Sequence, residues 1–178
     1  MKKIFVILSL LIFGVCSYAQ KFACVDTEYI LNNMPEYKQA QKELEEVSLQ
    51  WQKDIENKLA EVDRMYRSYQ AEALLLPDDL KTKRENEIVA AEKEAKNLQK
   101  QRFGSEGDLS KKRSELIKPI QDKIYNAIEK IAKEKNYSMV LDKASGATVL
   151  FIDSKTDVSD LVLAELGYKV NTSSATKR

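Results

Sequence analysis

One stripe of apolar residues, repeating every three or four positions along a single long segment, limits what this chain can fold into more than any other feature. Its members stand among Glu, Lys, Gln, Ala and Leu residues, which are good helix formers. The stripe runs through Leu44, Val47, Trp51, Ile55, Leu59, Val62, Tyr66, Tyr69, Ala73 and Leu76. This spacing is typical of a helix that packs along one face on a partner helix, as in a coiled coil. The sequence therefore predicts a helix over residues 35–76, roughly 63 Å long at about 1.5 Å per residue.

A proline-containing turn ends this stripe and starts a second one. Three leucines, at positions 74–76, precede Pro77, which disfavours helix in the residue before it but suits the start of a new helix. Two aspartates follow and complement the positive end of the next helix dipole. The second stripe comprises Leu80, Ile88, Ala91, Ala95, Leu98, Leu109, Leu116, Ile120, Ile124, Ile128 and Ile131. We therefore expect a projecting antiparallel helical hairpin over residues 35–135, with its tip near 74–79.

The returning helix carries residues that weaken a continuous helix. Gly104 and Gly107 each cost about 1 kcal/mol relative to alanine. Pro119 removes one backbone hydrogen bond and favours a kink. Two interpretations remain open from the sequence: a local irregularity, or a hinge that lets the hairpin splay.

Short β-like runs flank the hairpin on both sides. Phe22–Val25 reads as a strand, with a helical turn at residues 27–33 behind it. Tyr137–Asp142 and Thr148–Ile152, joined by a turn that contains Gly146, read as a β-hairpin, and residues 157–166 as a short amphipathic helix. The strands at the two ends must meet, because the helical hairpin returns the chain to its origin.

Residues 20–34 and 136–168 are therefore expected to form a small β-rich body, followed by a disordered polar tail over 169–178. The predicted fold is mainly α with a small β body. A body of about 50 residues rarely buries enough apolar area alone, so several copies should associate through it.

The first 19 residues have the order of a cleavable signal peptide: a cationic start, an apolar run and small residues before Gln20. The apolar run is about 12 residues, shorter than the roughly 20 of a membrane-spanning helix. Lipid attachment at Cys16 is less favoured, because Val15 stands where a small residue is normally required. The sequence therefore predicts export.

Composition argues against several functions. The chain has no histidine, no recognisable nucleophile motif and no phosphate-binding glycine loop, so we expect no catalysis, no metal and no cofactor. Removing Lys2 and Lys3 from 29 basic residues leaves 27 against 28 acidic ones, so nucleic acid is not an expected partner. Cleavage also leaves Cys24 as the sole cysteine, for which a buried strand is favoured over an intermolecular disulfide.

The order of these segments resembles the Skp/OmpH family of periplasmic chaperones over residues 22–168. The resemblance rests on Phe22–Asp26 with Tyr29–Leu31, the long hairpin, Leu116–Ile124, Tyr137–Asp142, and Phe151–Asp153 followed by Asp157–Ser159. It implies a jellyfish-like homotrimer in the periplasm, whose hairpins surround a cavity. It also implies that unfolded outer-membrane β-barrel proteins are held in this cavity, without ATP, and kept from aggregating.

Apolar residues near the hairpin tip are the candidate client-binding residues: Met65, Tyr66, Tyr69, Leu74, Leu75 and Leu76. Met65, Leu74 and Leu75 lie off the stripe and are favoured to face the client, whereas the other three are expected mainly to join the two helices. The outer part of the hairpin, residues 64–90, has no net charge, whereas the hairpins of many family members are positively charged.

A basic excess on the returning helix is a candidate patch for acidic clients, lipopolysaccharide or a membrane surface, although a solvated helix face is the simpler interpretation. It comprises Lys93, Lys96, Lys100 and Arg102, with further lysines and an arginine at 111–113.

A second functional hypothesis is an exported structural or adaptor coiled coil that docks its tip on one defined partner. An adaptor should bind one protein stoichiometrically and ignore unrelated unfolded chains, whereas a holdase should do the opposite.

Overall fold

The computed structural model describes residues 21–146 and 151–169. The predicted signal peptide and almost all of the predicted tail lie outside the described residues. The helices and strands are β1 (Lys21–Val25), α1 (Thr27–Asn32), α2 (Pro35–Glu72), α3 (Asp78–Phe103), α4 (Asp108–Lys135), β2 (Tyr137–Asp142) and α5 (Ser159–Glu165). In the described part of the chain, no helix combines the length and the apolar character needed to cross a membrane.

The contacts divide the chain into two units. The hairpin unit comprises residues 34–123, and the sheet unit comprises the described residues before 34 and after 123.

The sheet of the sheet unit joins the two ends of the chain. β1 pairs with β2 in parallel, with Phe22 opposite Met139 and Cys24 opposite Leu141. Parallel strands need a long crossover connection, and the helical hairpin supplies it. This pairing confirms that the end strands meet.

The predicted β-hairpin partner of β2 is not seen among the described residues. Phe151 and Ile152 lie outside any strand, and residues 148–150 lie outside the described residues. The described neighbour of β2 is β1, which carries the buried Ala23, Cys24 and Val25, and the buried backbone of such a strand needs a hydrogen-bonding partner.

A small apolar core fills the sheet unit. Its most deeply buried large side chains are Val25, Ile30, Val162 and Leu163. Cys24 is buried beside them, as the sequence predicted, and burial raises the pKa of its thiol. A protonated buried thiol is a weak nucleophile, so the residue acts here as a small core side chain.

A polar network centred on Asp157 ties the segments of the sheet unit together. Asp157 accepts hydrogen bonds from Lys143 Nζ at 2.5 Å and from Ser159 Oγ and N at 2.6 and 3.0 Å. Ser159 Oγ in turn accepts from the Asp26 backbone N–H at 2.8 Å. Burial acts to raise the pKa of Asp157, but the hydrogen bonds from Lys143 and Ser159 outweigh it, and the pKa is lowered.

Side-chain contacts between facing helices set the register of the hairpin unit. The Tyr69 hydroxyl donates to the Glu85 carboxylate, and the Arg102 guanidinium lies 4.6 Å from the centre of the Trp51 ring. Further pairs are Lys58–Glu94 at 3.8 Å, Lys112–Glu43 at 2.8 Å and Lys123–Glu36 at 3.6 Å. In this series of pairs, the residue numbers on α2 decrease while those on α3 and α4 increase, so the helices are antiparallel, as predicted.

The apolar stripe of α2 deviates from the predicted positions in its distal half. Leu59 and Tyr66 are exposed, although both were assigned to the stripe, whereas Met65, assigned off it, is half-buried. Each step of four residues advances about 40° beyond a full turn. The three successive steps from Val47 to Leu59 therefore rotate the stripe toward the edge of the interface, and packing returns through Val62, Met65 and Tyr69.

The returning leg of the hairpin, which is the segment that runs back from the tip, is not one helix. It breaks between Phe103 and Asp108, whereas α4 continues through Pro119. A Cβ on Gly104 would lie 2.5 Å from the Lys100 carbonyl oxygen. A Cβ on Gly107 would lie 2.8 and 2.9 Å from the carbonyl oxygens of Gln101 and Arg102. Glycine is therefore required at both positions for this backbone path.

Gly107→Ala is expected to destabilise the hairpin unit by about 1–3 kcal/mol, because the new methyl group meets backbone atoms that cannot rotate away. Urea denaturation followed by circular dichroism measures this loss. Ser105→Ala, at an exposed position in the same break, is the matched control and should change stability by less than about 0.5 kcal/mol. Equal stabilities of the two variants would contradict the steric explanation.

Candidate functional site

The tip of the hairpin unit is a short turn with local backbone hydrogen bonds and one local ion pair. α2 ends at Glu72, four residues before the predicted end, and Leu75 N–H donates to the Glu72 carbonyl at 2.8 Å. Pro77 precedes α3, and Lys81 N–H donates to its carbonyl at 3.0 Å. Lys81 Nζ also pairs with Asp78 at 3.2 Å. These local contacts of the turn involve no leucine side chain.

Two of those leucines project into solvent. Leu74 is 96% exposed and Leu75 is 87% exposed, the two highest values among the large apolar side chains of the described residues. Leu76 is half-buried. Burying a leucine side chain stabilises a contact by roughly 1.5–3 kcal/mol, so this exposed pair is a candidate for apolar contact with another molecule.

Leu80 adds to the apolar tip, although its spacing had assigned it to the stripe of the returning helix. It lies in the first turn of α3 and is exposed. We name the exposed Leu74, Leu75 and Leu80 the tip patch. The position of Leu80 at the start of a helix, where the partner helix has already ended, was the signal in the sequence.

The three other candidate residues differ in their surroundings. Tyr66 is 49% exposed and available to a partner, whereas Met65 is half-buried in the stripe. Tyr69 joins α2 to α3 through Glu85, and its hydrogen bond to that carboxylate raises the pKa of the phenol. The structure thus brings Tyr69 into the interhelical contact, as its position on the stripe indicated.

The candidate basic patch is interrupted by ion pairs. Lys96 lies 3.5 Å from Glu92. Arg102 lies over the Trp51 ring and 2.6 Å from Asp108. The Arg102 guanidinium is therefore held by contacts within the hairpin unit, and its membership of a binding patch stays a prediction. Lys93 and Lys100 remain exposed.

A second apolar surface, which the sequence did not single out, lies on the sheet unit. Phe22 and Met139 are register partners, so their side chains lie on the same face of the sheet, and Leu141 follows at the next position on that face. All three are exposed. We name them the sheet patch. Within the described residues, no group of three or more Cys, Asp and Glu side chains is placed to hold a metal ion.

The topology defines the class of this protein: a small sheet of two parallel strands that are connected along the chain by a long antiparallel helical hairpin. A family model described as outer membrane protein (OmpH-like) matches residues 21–166. The chain therefore belongs to the OmpH-like family, and the resemblance seen in the sequence is confirmed.

Two individual proteins are similar to this chain. An uncharacterized protein of Aquifex aeolicus (strain VF5) is 34% identical over 166 residues, covering 93% of this chain and 96% of the relative. A crystal structure from Caulobacter crescentus CB15, described as a "putative outer membrane chaperone (OmpH-like)", matches with a TM-score of 0.68 at 12% identity. That match covers 83% of this chain and 84% of the other, and it shows a shared fold.

Proposed function

We propose that this protein is an ATP-independent periplasmic holdase chaperone that keeps unfolded outer-membrane proteins from aggregating. The observation that carries the proposal is the tip patch, where two leucines are almost fully exposed on a turn whose hydrogen bonds do not involve their side chains. Membership of the OmpH-like family, and the chaperone description of the Caulobacter protein, agree with this role.

Apolar contact, rather than charge, is the proposed basis of client recognition. Residues 34–123 contain 18 basic and 19 acidic side chains, so the hairpin unit has almost no net charge. Unfolded membrane proteins of different sequence share exposed apolar segments, and a small leucine-rich surface can contact them without a fixed geometry. Contact of Lys93, Lys96, Lys100 and Arg102 with lipopolysaccharide or a membrane surface stays a prediction.

Self-association is proposed to occur through the sheet patch. Exposed Phe22, Met139 and Leu141 on one sheet face resemble a surface that another copy covers, and the family implies three copies. A homotrimer would surround a client with three hairpins, so that several weak apolar contacts act together.

Phe22→Ser combined with Met139→Ser is expected to convert the oligomer to monomer, because both changes remove apolar area from the sheet patch. Light scattering of the purified protein measures the mass. Leu161→Ser, at an exposed position on α5, is the control for loss of one apolar surface residue and should leave the mass unchanged. A double variant that keeps the parental mass would exclude the sheet patch as the interface.

The function is tested by diluting a urea-unfolded outer-membrane β-barrel protein into the mature protein and measuring light scattering. We expect a discrete soluble complex on an oligomer of fixed mass, with no ATP present. If the client aggregates as it does alone, the holdase proposal fails, and the adaptor with one specific partner becomes the better explanation of the exposed tip.

A further inference from the structure

We propose that the break at residues 104–107 is a joint in the returning leg of the hairpin and that Arg102 is the latch that holds it closed. The proposal concerns the free protein and does not depend on client binding. Gly104 and Gly107 would then form a hinge rather than a local irregularity.

The latch is a three-part contact that crosses the break. The Arg102 guanidinium lies 4.6 Å from the centre of the Trp51 ring on α2 and donates to Asp108 Oδ2 at 2.6 Å, at the first residue of α4. Both charged side chains are about two-thirds buried, so water competes less for this pair than for the surface pairs of the same unit. One side chain thus connects the end of α3, the start of α4 and the opposite helix.

Few other contacts hold α3 to α4. In the described part of the chain, the side-chain hydrogen bonds that cross the break are those of Arg102 and Gln101 to Asp108, the second at a long 3.4 Å. The backbone makes single turn-like bonds, Gly104 N–H to Lys100 O and Gly107 N–H to Gly104 O, both at 2.9 Å. A regular helix would instead carry one bond per residue across these positions, so the break is the weakest point of the leg.

The two legs also differ in length around the break. Tyr69 to Trp51 spans 18 residues, and their partners Glu85 to Arg102 span 17. Trp51 to Glu43 spans 8 residues, whereas Arg102 to Lys112 spans 10, and Glu43 to Glu36 spans 7, whereas Lys112 to Lys123 spans 11. The latch therefore lies where the returning leg begins to carry extra residues, and the non-helical residues of the break accommodate the first two of them.

The geometry therefore predicts that releasing Arg102 lets α3 and α4 change their mutual angle without unfolding either helix. Spin labels at the exposed positions Lys93 and Ser114 span the joint, and electron-spin distance measurements report the angle. The labelled chain carries Cys24→Ala and is diluted with unlabelled protein, so that only distances within one chain contribute. A reference pair at Lys83 and Lys100 lies within α3.

In the parent protein we expect one narrow Lys93–Ser114 distance, and in Arg102→Ala and Asp108→Asn a distribution at least twice as broad. The Lys83–Lys100 distance should stay narrow in all of them, which separates joint opening from unfolding. Lys96→Ala, which removes an exposed ion pair from the same helix, should change neither distance. Arg102→Lys, which keeps the charge but loses the planar group over Trp51, should give an intermediate breadth.

Amide hydrogen exchange provides an independent readout. In Arg102→Ala, exchange at Gly104, Gly107 and Lys111 should quicken by about tenfold, while the amides of residues 82–95 keep their parental rates. A broad distance distribution in the parent, or an unchanged distribution in both latch variants, would overturn the proposal. Equal acceleration along the whole leg would also overturn it, since it would show a stabilising contact rather than a latch.

Discussion

Replacing both Leu74 and Leu75 with serine is expected to weaken client holding by roughly 10- to 100-fold while leaving the fold intact. Both side chains are almost fully exposed, so the change removes little from the folded protein, and stability should move by less than about 0.5 kcal/mol. A client that covers about half of each leucine would lose roughly 1.5–3 kcal/mol of apolar contact, and each 1.4 kcal/mol is tenfold in affinity.

The measurement is the concentration of chaperone that halves the aggregation of a diluted outer-membrane β-barrel protein. Leu49→Ser with Val89→Ser is the matched control, because it removes two exposed apolar side chains from the helix faces away from the tip. The tip assignment fails if the Leu74 and Leu75 variant suppresses aggregation as well as the parent. Equal losses of aggregation suppression in both double variants would show that any exposed apolar residue of the hairpin contributes to client holding.

The polar network of the sheet unit provides the second large effect. Asp157→Asn removes the charge partner of Lys143 and weakens both hydrogen bonds from Ser159, leaving a part-buried lysine without its carboxylate. We expect a loss of about 2–3 kcal/mol at neutral pH, somewhat below the cost of breaking a fully buried pair because both groups retain some contact with water. Denaturant unfolding monitored by circular dichroism measures it.

The same carboxylate predicts a pH dependence. Its pKa in the folded protein lies below the ordinary aspartate value of about 3.9. The stability that it contributes is therefore fully present above that value and is lost as the pH falls through the lowered folded pKa. Asp157→Asn should remove this component of acid destabilisation, so the difference between variant and parent should shrink below about pH 4.

Glu165→Gln is the matched control for this network, because it breaks an ion pair of the same unit, Lys130–Glu165 at 2.6 Å, on the surface. Its effect on stability should be much smaller than that of Asp157→Asn, despite the short distance, because solvent screens an exposed pair. Similar losses in the two variants would contradict the central role assigned to Asp157.

Sequence alone determined the features that depend on neighbouring residues. The three-and-four spacing from Leu44 onward requires a helix with one apolar face, and Pro77 with the two aspartates after it stops one helix and starts another. The exposure of Leu74 and Leu75 follows from the same local facts, because they lie off the stripe at a turn. The apolar neighbours of Cys24 likewise predicted its buried position on a strand.

Tertiary structure decided the features that depend on residues far apart in the chain. Whether Met65 or Tyr66 faces the partner helix depends on how far the stripe has rotated, and a shift of one residue turns the helix by about 100°. The inward orientation of Arg102 depends on Trp51, about fifty positions earlier, and the pairing of β2 with β1 depends on the return of the whole hairpin. Periodicity specifies which face of a helix is apolar, but only the packed partner selects which side chains at the edge of that face are covered.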